Sequence, residues 1–137
     1  QLLAGLGTIH GGFYRIRLPL PPPELRPNSA PKSHRWKRTV VASYLRECRQ
    51  MIWADLRSRG VEPPRWKSVE ITPEVRTESG RAWDAGNLFA SLKQAEDALE
   101  REGVIANDRG VTWLPPRFVA VSPLQTGVVL TVEAVEQ

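Results

Sequence analysis

Trp66-Lys-Ser-Val-Glu-Ile-Thr-Pro-Glu-Val-Arg76 sits between two segments of helical period and itself keeps the period of a strand. Val69, Ile71 and Val75 fall on one side of the alternation, the pattern of a half-buried strand. Pro73 breaks the pattern and points to an edge position or a bulge, because proline cannot donate to a ladder. Upstream, Val41, Leu45, Cys48, Ile52 and Leu56 recur at helical spacing, with Tyr44 and Met51 widening the stripe. Ser33 suits the N-cap of that helix, which ends before Gly60. Downstream, Leu88, Leu92, Ala95 and Leu99 define a second helix over Asn87 to Glu102, stopped by Gly103.

Further out, Phe13-Tyr-Arg-Ile-Arg-Leu18 alternates as a strand before Pro19 and the stiff Pro21-Pro22-Pro23 run. Val111 to Trp113, Arg117 to Val121 and Gly127 to Val135 complete the strands, and Val128-Val-Leu-Thr-Val132 is the most regular. The order strand-helix-strand-helix-strands predicts an α+β fold. It is a single domain of two layers, a mixed β-sheet with two main helices on one face.

A chain of 137 residues, 41% hydrophobic and 25% charged, suits one domain around a real core. Residues 1–12 lack a basic start and a sustained apolar segment, so they make a poor signal peptide. They read as a flexible N-terminal extension, native or left over from expression, ahead of a folded domain over 13–137. No apolar run reaches the length of a bilayer span, so no membrane partner is expected. Cys48 is the only cysteine, which excludes an intrachain disulfide. With His10 and His34 far apart it also excludes a Cys/His zinc cluster. Among apolar helix positions, Cys48 reads as a buried small hydrophobe.

The net charge is +4, but it is unevenly spread. From Lys32 to Arg59, eight Lys/Arg stand against the two acids Glu47 and Asp55, a local excess of +6. That concentration on one loop and helix favours a nucleic-acid partner over a merely solvated face. The five tryptophans, Trp36, Trp53, Trp66, Trp83 and Trp113, read as core or sheet-packing groups. Trp36 and Trp83 are set apart by lying next to the basic loop and next to Asp84.

Asp84 precedes the second helix and Asp108 follows it. If the chain returns beside the loop that enters the helix, both acids can meet one hard cation, which prefers oxygen ligands and keeps several waters. Lys93 and Asp97, four apart, share a helix face, so Lys93 would lie near such an ion. A metal there would activate water for phosphodiester hydrolysis, and a lysine would add electrostatic stabilisation. The local alternative is plain. Asp84 is then a helix cap, Asp108 a turn former, and Lys93–Asp97 a solvated pair.

Several segments in order carry a family likeness. They are Leu18-Pro-Leu-Pro-Pro-Pro-Glu-Leu-Arg-Pro-Asn28, His34-Arg-Trp-Lys-Arg38, Asp84-Ala-Gly86-Asn87-Leu88, Leu92-Lys-Gln-Ala-Glu-Asp97-Ala-Leu99, Gly103-Val-Ile105 and Asn107-Asp108. From about Tyr14 to Val132 the chain resembles the RusA-like endodeoxyribonucleases, Holliday junction resolvases common in phages and prophages. The resemblance implies a homodimer in the cytoplasm of a bacterial or phage-infected cell. It would bind branched DNA and resolve four-way junctions by paired, Mg2+-dependent phosphodiester hydrolysis. It implies Asp84, Asp108 and Lys93 as catalytic residues and Asp84, Asp97 and Asp108 as metal ligands. It also implies DNA contacts from Lys32, His34, Arg35, Lys37, Arg38 and Arg81.

The chain departs from that pattern in three places. Gly86 stands where the family has a second aspartate, and Asn107 where it has the first acid of the late pair. Ala90 holds the lysine position of some members, and Lys93 lies three residues on. That shift is about 60° off the same face and about 4.5 Å along the helix, within a lysine's reach. The missing carboxylate at position 86 sets a second expectation beside the nuclease: a protein that binds branched DNA and cleaves it poorly or not at all.

Overall fold

The computed structural model describes residues 11–26 and 34–135. Lys32, Ser33 and the side chain of His34 therefore lie outside the described parts. The elements are β1 (Phe13–Leu18), α1 (His34–Arg59), β2 (Val69–Thr77), α2 (Ala85–Ser91), α3 (Lys93–Arg101), β3 (Val111–Trp113), β4 (Arg117–Ala120) and β5 (Gly127–Ala134). Together they form the single α+β domain with a mixed five-stranded sheet.

The sheet runs β1-β5-β2, with β3 and β4 both pairing the far side of β2. β5 is antiparallel to β1 and to β2, whereas β3 and β4 are parallel to β2. Parallel neighbours need a crossover, and α2 with α3 supply it between β2 and β3. Register aligns Tyr14 with Val132 and Ile71, and Leu18 with Val128 and Val75; all six are buried. The alternate face carries Arg15, Arg17, Glu70, Glu74, Arg76 and Glu133. The helices thus cover one face, and Cys48, Ile52, Leu56, Leu88, Leu92 and Leu99 join the strand residues in one core. The sheet engages the chain from Gly12, whose carbonyl accepts the Ala134 N–H at 2.7 Å.

Three expectations are corrected. Pro73 lies in an interior strand, not at an edge. The Ile71 carbonyl accepts from the Leu114 N–H, so the odd-numbered backbone groups of β2 point toward β3 and β4. Pro73 falls between the segment paired with β3 (Val69 to Ile71) and the segment paired with β4 (Glu74 to Thr77). Its missing N–H costs no ladder bond there. Second, the downstream helix is divided at Leu92. The buried Ser91 hydroxyl donates to the Leu88 carbonyl at 2.7 Å, and the Leu92 N–H is shared between Leu88 and Phe89 carbonyls. Such back-bonding bends a helix. Third, Met51 is 39% exposed and Trp53 53%, so these two do not belong to the core, whereas Trp36, already set apart from the packing groups, is 43% exposed.

The helix stops follow from glycine. Gly103 has φ +83°, its N–H reaches the Glu100 carbonyl, and the Val104 N–H reaches Leu99. That pair of bonds satisfies the last carbonyls of α3 and turns the chain back along the helix toward Asp108.

Candidate metal and nucleic-acid site

The return after Gly103 is what assembles the site. Trp66 and Ile105 form a parallel bridge beside the start of β2, which fixes the path of Asn107 and Asp108. The Asn107 side-chain oxygen accepts the Arg109 N–H at 2.9 Å, capping a short turn over Asp108–Gly110. Gly110 packs directly on the Lys67 carbonyl, where a Cβ would collide. Asp108 is thereby aimed back at α3, and its Oδ2 accepts from Lys93 Nζ at 3.3 Å.

Lys93 gathers two more carboxylates, Asp97 at 3.4 Å and Glu96 at 3.5 Å. Glu96 is 8% exposed, and its other oxygen accepts from the Trp113 indole N–H at 2.8 Å. Trp113 also packs against Phe89 of α2, with ring centroids 5.7 Å apart. Burial pulls the Lys93 pKa down. The hydrogen bond to Asp108 and the charges of Glu96, Asp97 and Asp108 outweigh it, and the ammonium stands above its ordinary value. Lys93 is therefore a fixed cation at neutral pH and no general base. Three carboxylates against one ammonium leave the cluster with an excess of negative charge.

Asp84 stands at the N-terminus of α2. Its Oδ1 accepts the Asn87 N–H at 3.0 Å, so the capping reading of this residue holds. Its carboxylate is exposed. Next to it, the Trp83 ring carries the Arg26 guanidinium 4.5 Å from its centroid. That stack pins Arg26, at the end of the proline-rich segment, to the residue beside Asp84.

The structure thus brings Lys93, Asp97 and Asp108 together and leaves Asp84 engaged with its own helix. The ammonium of Lys93 occupies the place among Glu96, Asp97 and Asp108 that a cation would take. Among the described residues, no group of three or more His, Cys, Asp or Glu side chains converges as a metal ion requires. The side-chain oxygen of Asn107 is already committed to Arg109. A three-carboxylate site from Asp84, Asp97 and Asp108 does not fit this arrangement. The carboxylates of Asp84 and Asp108 are both exposed, and a hard cation prefers such oxygen donors with water completing its shell.

Of the basic residues, Arg35, Arg38 and Arg81 are exposed and Lys37 is half-buried. Lys32 and the His34 side chain fall outside the described residues. Cys48 is buried, and burial pushes its thiol up to about 12, which rules out a thiolate nucleophile. Glu96, Trp113 and Arg26 escaped the sequence reading. Glu96 carried a signal in its i,i+3 spacing from Lys93. The other two reach the site through tertiary packing that no local pattern encodes. No helix among the described residues is long and apolar enough to cross a membrane. No protein-family model matches the chain, and no curated protein matches it.

Proposed function

We propose that the chain is a RusA-like, Mg2+-dependent endonuclease that resolves four-way DNA junctions as a homodimer in a bacterial or phage-infected cell. The observation that supports this best is the contact of Lys93 with Asp108, 15 positions apart, on the turn that follows α3. It is the juxtaposition of lysine and late aspartate that the ordered motifs call for. Lys93, kept charged by its carboxylates, would release one of them to hold a phosphoryl oxygen and stabilise the charge that grows there. Arg35, Lys37, Arg38 and Arg81, with Lys32 and His34, would grip backbone phosphates and orient the arm. A magnesium ion on Asp84 and Asp108 would supply an activated water and neutralise phosphoryl charge. Two copies about a two-fold axis would match the near two-fold symmetry of a four-way junction.

A nicking assay on synthetic four-way junctions with magnesium tests the reading. Cleavage by the wild type that Asp84→Asn and Asp108→Asn abolish is the expected result. Cleavage indifferent to both substitutions removes the site.

A second reading is a branched-DNA-binding protein that cleaves weakly or not at all. Gly86, which stands where the family has its second aspartate, favours it. A Cβ built at Gly86 stands 3.3 Å from Asp84 Oδ1, so Gly86→Asp would set a second carboxylate against the first. Cleavage gained by Gly86→Asp over a silent wild type supports this reading, and vigorous wild-type cleavage rejects it.

A further inference from the structure

A second stripe runs along α1 beside the one that enters the core and shares Leu45 with it. Ala42, Leu45, Arg46, Arg49, Gln50 and Trp53 follow the i, i+3, i+4, i+7 rule of one helix face. With Glu102 beyond the end of α3 they line a groove of about 430 Å3. Leu45 and Trp53 give it an apolar wall, and Trp53 is 53% exposed. Its rim is basic. Arg46 and Arg49 line it, and the Arg57 guanidinium lies 4.8 Å from the centroid of the Trp53 ring. Among the described residues the one lining carboxylate is Glu102, held by Arg49 Nε at 2.8 Å.

We propose that this groove docks an acidic peptide segment of a partner protein, one that carries a bulky apolar side chain among its carboxylates. Charge complementarity selects the carboxylates: Arg49 and Glu102 offset each other, Arg46 leaves the lining net positive, and Arg57 adds its charge over the Trp53 ring. The apolar wall selects the side chain, since a groove of this size takes one or two residues. Duplex DNA suits it less well. A phosphate track gains nothing from the apolar Leu45 and Trp53 and meets the carboxylate of Glu102. A second copy suits it less well again. Packing α1 on α1 about a two-fold axis would set the same arginines against one another. The groove uses none of the residues assigned to cleavage, so its occupation is independent of whether the protein cuts.

The test is fluorescence anisotropy with a dye-labelled Gly-Ser-Asp-Asp-Asp-Leu-Phe peptide, with a control peptide carrying Lys for each Asp. Expected are saturable binding of the acidic peptide alone and weakening by salt. Arg46→Glu and Trp53→Ala are each expected to lose affinity about tenfold or more. Both side chains are exposed, and far-UV circular dichroism checks that both variants keep their helix content. Junction binding should be unchanged by Trp53→Ala, which removes no charge. Equal binding of the Lys peptide, or acidic-peptide binding indifferent to both variants, overturns the proposal. So does loss of junction binding in both variants, which would make the groove part of the DNA face. Self-association that Trp53→Ala abolishes, without peptide binding, overturns it in favour of a second copy.

Discussion

Lys93 is the residue on which three carboxylates converge, and they fix its charge. Its folded pKa is raised, so the stabilisation its ion pairs give is complete below the unfolded lysine value of about 10.4. It is lost as pH climbs through the higher folded value. Lys93→Met should therefore lower the melting temperature at neutral pH, with the difference from wild type shrinking above about pH 10.4. A constant difference across that range would mean the pairs contribute nothing. If the protein cleaves junctions as proposed, the same variant should cut about 100-fold more slowly or worse while binding normally. Single-turnover kinetics separates the two. The sequence showed Lys93, Asp97 and Asp108 as a possible group because two share a helix stripe and the third follows a glycine stop. It hid Glu96 as the buried partner, because its second bond comes from Trp113 on a strand whose placement depends on the whole sheet.

Among the elements, the turn over Asp108–Gly110 is the one whose failure would undo the site. Gly110 lies against the Lys67 carbonyl with no room for a side chain. Gly110→Ala should cost about 1–3 kcal/mol as the turn is pushed off β2, read from the midpoint of chemical denaturation. It should also part Asp108 from Lys93, so cleavage would fall further than stability alone explains. An unchanged midpoint would contradict the close approach. From sequence this glycine was only part of a turn signal, since a backbone approach between distant segments leaves no local pattern. The break at Leu92 was likewise invisible. Leu88, Leu92, Ala95 and Leu99 keep their stripe across it, and only the Ser91 hydroxyl bond betrays the bend.

For the molecule as a whole, α1 is tied to the sheet by more than apolar packing. The Tyr14 hydroxyl donates to Asp55 Oδ2 at 2.7 Å, and Arg59 Nε donates to the same oxygen at 2.9 Å. Tyr14→Phe should cost about 1 kcal/mol in denaturation. The basic end of α1 sets the long-range field. Arg35→Glu with Arg38→Glu should weaken junction binding and lower its dependence on salt, by about one in the log–log slope for each phosphate that is no longer neutralised. An unchanged slope would place the DNA elsewhere. The strand and helix order was legible because each element buries one face and so shows its period. The sheet order was not, and Pro73 shows why, for a proline suits an interior strand when its neighbours leave a gap beside it. That gap has a consequence for hydrogen exchange. β3 and β4 hold to β2 as two short, separate ladders, so they form the part of the sheet that opens at least cost. Their amides should exchange ahead of those of β5. Asp108 leads straight into β3, so this acid hangs on one of the two strands that unzip most readily, and its distance from Lys93 should fluctuate with that ladder.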